Sequence, residues 1–139
     1  MCDETPSMDI KVLDVSNLNN ISVTSTFSSN SYEQTLPHNV ILVNNVAYVS
    51  YYNDGLQIFD VTNSYNPKKI GYYDTYPGSD NLIFRGMWGV YPFNSNNMVL
   101  GSDRTTGLYL FDFEVPPITV NNPFNIFPNP ASVSYTHLR

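Results

Sequence analysis

The sequence predicts an all-β protein made of repeated antiparallel sheets. The evidence is threefold: strand-forming residues are abundant, turn residues interrupt them at short intervals, and one pattern recurs along the chain. Of the 139 residues, 42% are hydrophobic, 14% are aromatic and only 13% are charged, and there are 10 Pro and 7 Gly. Tyr, Val, Ile and Thr favour strands, whereas the helix-favouring residues Ala, Glu and Lys are sparse.

The recurring pattern is a short apolar strand that ends in an aspartate. It reads DIKVLDVS from residue 9, GLQIFDVT from residue 55 and GLYLFDFE from residue 107. The shared residues are Asp14, Asp60 and Asp112, with Gly55 and Gly107 at the start of two copies. We expect each aspartate to accept a hydrogen bond from the backbone of the following turn. The aspartates are 46 and 52 residues apart, a period typical of propeller blades.

The period from about residue 38 to residue 75 is complete enough to predict each element. Strands are expected at 39–43, 46–52, 56–62 and 68–74, because each run is β-branched or aromatic. Asn-Asn at 44–45 and Asn-Asp-Gly at 53–55 predict hairpin turns, since Asn and Gly tolerate positive φ. The third run is apolar almost throughout, which indicates a strand covered on both faces. The flanking periods are incomplete. We therefore predict a partial β-propeller, with about one complete four-stranded blade and two incomplete ones.

Composition and charge limit the classes of function. Six Lys and Arg against twelve Asp and Glu give a net charge of −6, which disfavours a nucleic-acid partner. No apolar run reaches the roughly 18 residues of a membrane span, and none at the start of the chain resembles a signal peptide. The single Cys, Cys2, can form neither an internal disulfide nor a zinc cluster. Because a propeller needs several blades to close, the chain is expected to be a fragment of a larger protein.

Several rare clusters occur in a fixed order: LPHNV from residue 36, AYVSYY from 47, DGLQIFDV from 54, GYYDT from 71, GMWGVYPF from 86 and SDRTTGL from 102. On these clusters, residues 1–114 closely resemble the bacterial choice-of-anchor B proteins, which are built from LVIVD-type propeller repeats. The resemblance implies a propeller that is extracellular or at the outer-membrane surface. It implies no particular chemistry.

The C-terminal part carries a second resemblance. Residues 115–123 are rich in Pro and Asn and are predicted to be a linker. Residues 124–132, where Pro-Asn-Pro-Ala follows a hydrophobic pair, resemble the start of a type IX secretion C-terminal sorting domain. This implies an origin in Bacteroidota and the secretion machinery as a partner of the full-length protein; the alternative is a Pro-rich tail without a signal. Residues 133–139, VSYTHLR, match a translated sequencing-library adapter and are expected to be an artefact of a truncated metagenomic gene.

Weak ligand-binding candidates are spread along the chain: His38, Asn39, Asp74, Trp88 and Asp103. His38 is expected at the head of an innermost strand, near the central channel. There it would be a metal ligand, a general base or a structural residue bonded to a neighbouring blade. Trp88 occupies the matching position one blade later and is expected either to stack on a sugar or to pack between blades. The tyrosine pairs at 51–52 and 72–73 are interpreted as packing residues.

The sequence contains little evidence for catalysis or for a bound cofactor. Ca²⁺ is the one candidate cofactor, and its candidate ligands are Asp54, Asp74, Asp80 and Asp103. Gly-x-Ser-x-Gly and Gly-rich phosphate-binding motifs are absent from the sequence. The sequence thus favours a secreted or surface-anchored, non-catalytic module that binds extracellular protein or polysaccharide. The alternative is part of a secreted hydrolase or lyase with its site at the channel mouth, to which His38 would contribute.

Overall fold

The computed structural model describes residues 1–31, 35–78, 84–93 and 98–113. Within these ranges the chain is all-β, as predicted, and contains no helix. The strands are β1 (Ile10–Asp14), β2 (Ser22–Phe27), β3 (Asn39–Val43), β4 (Val46–Ser50), β5 (Leu56–Asp60), β6 (Lys68–Tyr73), β7 (Met87–Tyr91), β8 (Met98–Asp103) and β9 (Gly107–Asp112). The predicted linker 115–123, the sorting segment 124–132 and the terminal stretch 133–139 lie outside the described residues.

The strands form three antiparallel sheets in chain order. The first sheet is β1–β2, the second is β3–β4–β5–β6 and the third is β7–β8–β9. The four strands predicted between 39 and 74 therefore make up one sheet, but three of them end earlier than expected. The strand predicted at 46–52 ends at Ser50, because Tyr52 adopts a φ of +42° and begins the turn. The strand predicted at 56–62 ends at Asp60, whose carboxylate accepts the N–H of Thr62 at 2.8 Å.

The first sheet repeats the second half of the second sheet. Asp14 pairs with Ser22 just as Asp60 pairs with Lys68, and both ladders contain a register shift at the same place. In β1 the shift follows Val12, and in β5 it follows the equivalent Ile58. Such a shift adds one residue to one strand of the pair, and the side chains that follow it point to the opposite face of the sheet. Because both ladders have the shift at the same place, equivalent residues have equivalent surroundings.

The turns after these strands repeat as well. The Asp14 carboxylate accepts the N–H of Ser16 at 2.9 Å, matching the bond that Asp60 makes with Thr62. Both are the local side-chain-to-backbone bonds expected of the recurring aspartates. Asp112 lies at the same register position in β9, although the turn that follows it is outside the described residues.

The third sheet repeats the first three strands of the second. Equivalent cross-strand pairs are Val40–Val49 with Val90–Gly101, Val46–Asp60 with Met98–Asp112, and Ser50–Leu56 with Ser102–Leu108. Gly55 and Gly107 both adopt positive φ, at +72° and +105°, before equivalent leucines. At Gly55 a Cβ atom would lie 2.0 Å from the Tyr73 carbonyl oxygen, so the turn there requires glycine.

The second sheet is covered on both faces. On one face the third sheet packs through β7 against β3 and β4, and their side chains form one apolar cluster around Tyr48, Ile58, Val90 and Phe111. On the other face the first sheet contributes Ile10 and Phe27 to a second cluster with Val49 and Phe59. Leu56, Gln57, Ile58 and Phe59 are accordingly all buried, as the apolar run of this strand predicts.

The outer face of the third sheet is apolar and exposed. Its large side chains are Tyr91, Phe93, Leu108 and Leu110. The equivalent positions of the second sheet are Ile41, Val43, Leu56 and Ile58, which all pack beneath the third sheet. The four exposed residues of the third sheet, Tyr91, Phe93, Leu108 and Leu110, are called the outer patch below. Among the described residues the three sheets do not close into a ring.

Candidate ligand-binding site

His38 and Trp88 meet where the second and third sheets adjoin. His38 directly precedes β3, and Trp88 is the second residue of β7. Their ring centroids are 4.2 Å apart, with the ring planes inclined by 38°. Ser50 links the two residues: its carbonyl accepts the His38 N–H at 2.9 Å, and its hydroxyl donates to the Trp88 carbonyl at 2.9 Å. Because Ser50 is fully buried, this backbone link is shielded from competing water.

A carboxylate from the N-terminal segment engages His38 and its neighbour Tyr52. The Tyr52 hydroxyl donates to Glu4 Oε1 at 2.7 Å and lies 3.0 Å from His38 Nδ1. His38 Nδ1 is hydrogen bonded to the same Glu4 oxygen. We assign the proton to Nδ1 because Glu4, as a carboxylate, is an acceptor only. One half of the site is thus closed by a charge-assisted network.

The electrostatics of this network favour an ionised Glu4. Hydrogen bonds from His38 and Tyr52 hold the pKa of Glu4 below its ordinary value. Burial, together with the Glu4 carboxylate, raises the pKa of Tyr52 to about 12. Tyr52 therefore keeps its proton at neutral pH and remains a hydrogen-bond donor to Glu4.

The other half of the site consists of Trp88 and Arg104. Arg104 occupies the position in the β8–β9 turn that Tyr52 occupies in the β4–β5 turn. Its guanidinium carbon lies 4.9 Å from the centre of the Trp88 ring, a cation–π distance. Its backbone N–H donates to the Gly86 carbonyl at 2.9 Å, which anchors the residue beside β7. Within the described part of the chain, no carboxylate lies within ion-pair distance of this guanidinium.

A cleft opens beside this pair. Its volume is about 300 Å³, and it is lined by Trp88, Ser102, Asp103 and Arg104. The Trp88 side chain is partly open to solvent, at 44% exposure. Asp103 is 8% exposed, and its Oδ1 accepts the N–H groups of Thr105 and Thr106 at 2.7 and 2.8 Å. Its other oxygen, Oδ2, is buried without a hydrogen-bond partner. The cleft thus combines an indole, a cation, a hydroxyl and a buried carboxylate.

The structure brings together His38, Trp88 and Asp103, three of the five ligand-binding candidates. Asn39 is exposed at the start of β3, and its carbonyl accepts the Ser50 hydroxyl at 3.3 Å. Asp74 follows β6, is exposed, and accepts the N–H of Tyr76 at 2.8 Å. It does not line the cleft.

Sequence reasoning missed Glu4, Tyr52 and Arg104. Tyr52 was expected to be a packing residue, and it is buried, but its hydroxyl also bonds to Glu4 and His38. Arg104 could have been found by aligning the turn before Gly107 with the turn before Gly55. Glu4 carries no such signal, since it lies in the segment before β1.

The calcium candidates do not converge. Asp54 and Asp74 are the two candidates whose charges interact, but Asp54 is buried and its burial raises its pKa. Asp103 lies in the cleft of another sheet, and Asp80 is outside the described residues. In the ranges that the structure describes, no three His, Cys, Asp or Glu side chains form a group able to hold a metal ion.

Comparisons with known proteins provide no assignment: the chain matches no protein family, no curated protein and no solved structure. A search of the described residues for a helix long and apolar enough to cross a membrane finds none.

Proposed function

We propose that the three sheets are consecutive blades of a β-propeller of the LVIVD type. The support is that equivalent cross-strand pairs recur: Asp14–Ser22 of the first sheet corresponds to Asp60–Lys68 of the second, and Val46–Asp60 of the second corresponds to Met98–Asp112 of the third. The second sheet packs on the first as the third packs on the second. The outer patch is then the face on which a further blade would pack.

The outer patch provides the test of this architecture. Without a further blade, chains of residues 1–139 are expected to self-associate, because the apolar face remains exposed. Replacing Leu108 and Leu110 by Glu should reduce the association measured by light scattering after size exclusion. Leu18→Glu is the matched control, since Leu18 is as exposed as Leu108, at 77% against 76%, but lies in the β1–β2 turn. A wild-type monomer with a sharp, cooperative unfolding transition would contradict the proposal.

We also propose that this propeller is a secreted or surface-anchored, non-catalytic module that binds extracellular glycan or protein at the Trp88 cleft. The observation that carries the proposal is the partly exposed indole beside Arg104, in a cleft that also offers polar groups. Exposed aromatic rings flanked by polar groups suit ligands that have both apolar and polar surfaces. The resemblance of residues 124–132 to a sorting domain supports export by type IX secretion.

Because Trp88 is the only tryptophan of the chain, its fluorescence reports directly on the cleft. Titration with panels of soluble polysaccharides and extracellular matrix proteins should reveal at least one ligand that changes the emission. Trp88→Phe removes the signal but keeps an aromatic ring, and calorimetry then measures the remaining affinity. Tyr65→Ala, at an exposed turn residue, is the control and should bind as the wild type does. Absence of binding to every panel member would count against the module.

A further inference from the structure

The Trp88 cleft points to a particular class of ligand. We propose that it binds a glycan containing a hexuronic acid, with the sugar carboxylate held by Arg104 and the sugar ring against Trp88. This inference rests on the proposed binding function and narrows it to one ligand chemistry.

The first argument is the unpaired charge of Arg104. Within the described residues its guanidinium has the Trp88 ring as a neighbour but no carboxylate within ion-pair distance. The planar guanidinium presents paired N–H donors that match the two oxygens of a carboxylate. Contact with the ring and the backbone bond to Gly86 restrict the arginine before any ligand arrives, which reduces the entropy lost on binding.

The second argument comes from the equivalent pair in the second sheet. His38 and Tyr52 are the counterparts of Trp88 and Arg104, and both hydrogen bond to the Glu4 carboxylate. The molecule therefore already contains one example of a carboxylate bound at this repeat position. At the third sheet the donor is a stronger carboxylate ligand, arginine in place of tyrosine, and no described side chain occupies it.

The remaining groups favour a sugar over an acidic peptide. An acidic side chain would satisfy Arg104 but would bring no hydroxyl donors. Ser102 and Asp103 both line the cleft, and Ser102 is exposed, so its hydroxyl can bond to a sugar hydroxyl. Asp103 Oδ2 is buried and has no hydrogen-bond partner. A uronic acid supplies a carboxylate, several hydroxyl donors and an apolar ring face that can contact the part of the indole left exposed beside His38 and Arg104.

The test compares two probes of equal length on the full chain: trigalacturonic acid and the neutral galactose trimer. Trp88 fluorescence should report at least tenfold tighter binding of the acidic probe, with an affinity that falls as salt is added. Arg104→Gln should abolish this preference, whereas Arg104→Lys should retain part of it. Arg85→Gln, a nearby exposed arginine, is the matched control and should change nothing. Far-UV circular dichroism confirms that each variant keeps its strands.

The outcomes separate the inference from the proposed function. Equal affinity for both trimers would overturn the uronic acid assignment and leave a glycan-binding module intact. Tighter binding of a poly-glutamate peptide than of trigalacturonic acid would also overturn it, in favour of an acidic protein partner. Failure of every polysaccharide and protein in the broader panel would overturn the module as well.

Discussion

His38 and Trp88 contact each other across two sheets, with ring centroids 4.2 Å apart, and each directly precedes the residue that pairs with an equivalent serine: Asn39 pairs with Ser50, and Gly89 pairs with Ser102. The contact arises because equivalent residues of stacked, repeated sheets approach the same seam. Sequence divergence between the repeats then gives the two halves different chemistry. The His38 half is closed by Glu4, whereas the Trp88 half remains open beside Arg104.

The ring contact predicts the effect of removing His38. His38→Ala should increase the solvent exposure of Trp88, shift its emission to longer wavelength and increase its quenching by acrylamide. The lost ring contact should also cost about 1 kcal/mol of unfolding free energy. His38→Phe is the matched control, because it keeps a ring against Trp88 but cannot bond to Glu4. Unchanged emission in His38→Ala would show that the two rings are not in contact in solution.

The repeated strands were predictable because their determinants are local. An apolar run, a closing aspartate such as Asp60 and a glycine such as Gly55 each act within a few residues, so the pattern can be read directly. The strand ends were less predictable. Tyr51 and Tyr52 continue the apolar run beyond Ser50, yet the backbone already turns at Tyr52. Turn geometry overrides strand propensity there.

Only part of the site was predictable, because repeat alignment relates some of its residues to one another but not all of them. His38 and Trp88 could be paired because repeat alignment assigns both to one position. Arg104 follows from the same alignment once the turn before Gly107 is included. Glu4 could not be inferred, since it meets His38 and Tyr52 from 34 and 48 residues away and its segment has no counterpart in the repeat pattern.

The two equivalent glycines provide a second prediction. Gly55→Ala should destabilise the fold by about 3 kcal/mol, because the new Cβ would meet the Tyr73 carbonyl at 2.0 Å in a positive-φ turn. Gly107→Ala should cost only about 1 kcal/mol, since its φ is also positive but no atom lies within 4 Å of the added carbon. Urea unfolding at one fixed protein concentration measures both. Equal losses would contradict the close packing around Gly55 and the open space around Gly107.

A third prediction concerns the N-terminal segment. Glu4→Gln weakens the charge-assisted bonds to His38 and Tyr52, so residues 1–9 should exchange amide hydrogens several-fold faster at pH 7. The native pKa of Glu4 is lowered, so its contribution to stability is present above the ordinary value of 4.5 and is lost as the pH falls through the native pKa. The protection of this segment, which is its exchange rate compared with the intrinsic rate at the same pH, should therefore decrease below about pH 4.5.

Asp9→Asn is the control for the Glu4 prediction. Asp9 lies in the same exposed segment, and its substitution should leave exchange unchanged. If Glu4→Gln and Asp9→Asn behave alike, Glu4 does not hold the segment.

The fourth prediction concerns Asp54, a buried acid with an unpartnered Oδ2. Burial raises its native pKa above the ordinary 3.8, so the folded state binds a proton more readily than the unfolded state does. Stability should therefore fall as the pH rises through the window between these two pKa values, and the loss should persist at neutral pH.

Asp54→Asn removes the buried charge and should raise the unfolding free energy at pH 7 by roughly 1 kcal/mol, with no gain below about pH 3.8, where the wild-type acid is protonated. The exposed Asp14→Asn is the control and should stabilise at neither pH, because Asp14 lies in the first sheet and its carboxylate accepts the N–H of Ser16, a bond that an asparagine can keep. Urea midpoints of the three chains at both pH values decide the matter. A loss of stability in Asp54→Asn at pH 7 would mean that the hydrogen bonds from Ser29 and Thr35, together with the attraction to Lys69, outweigh the cost of burying the charge.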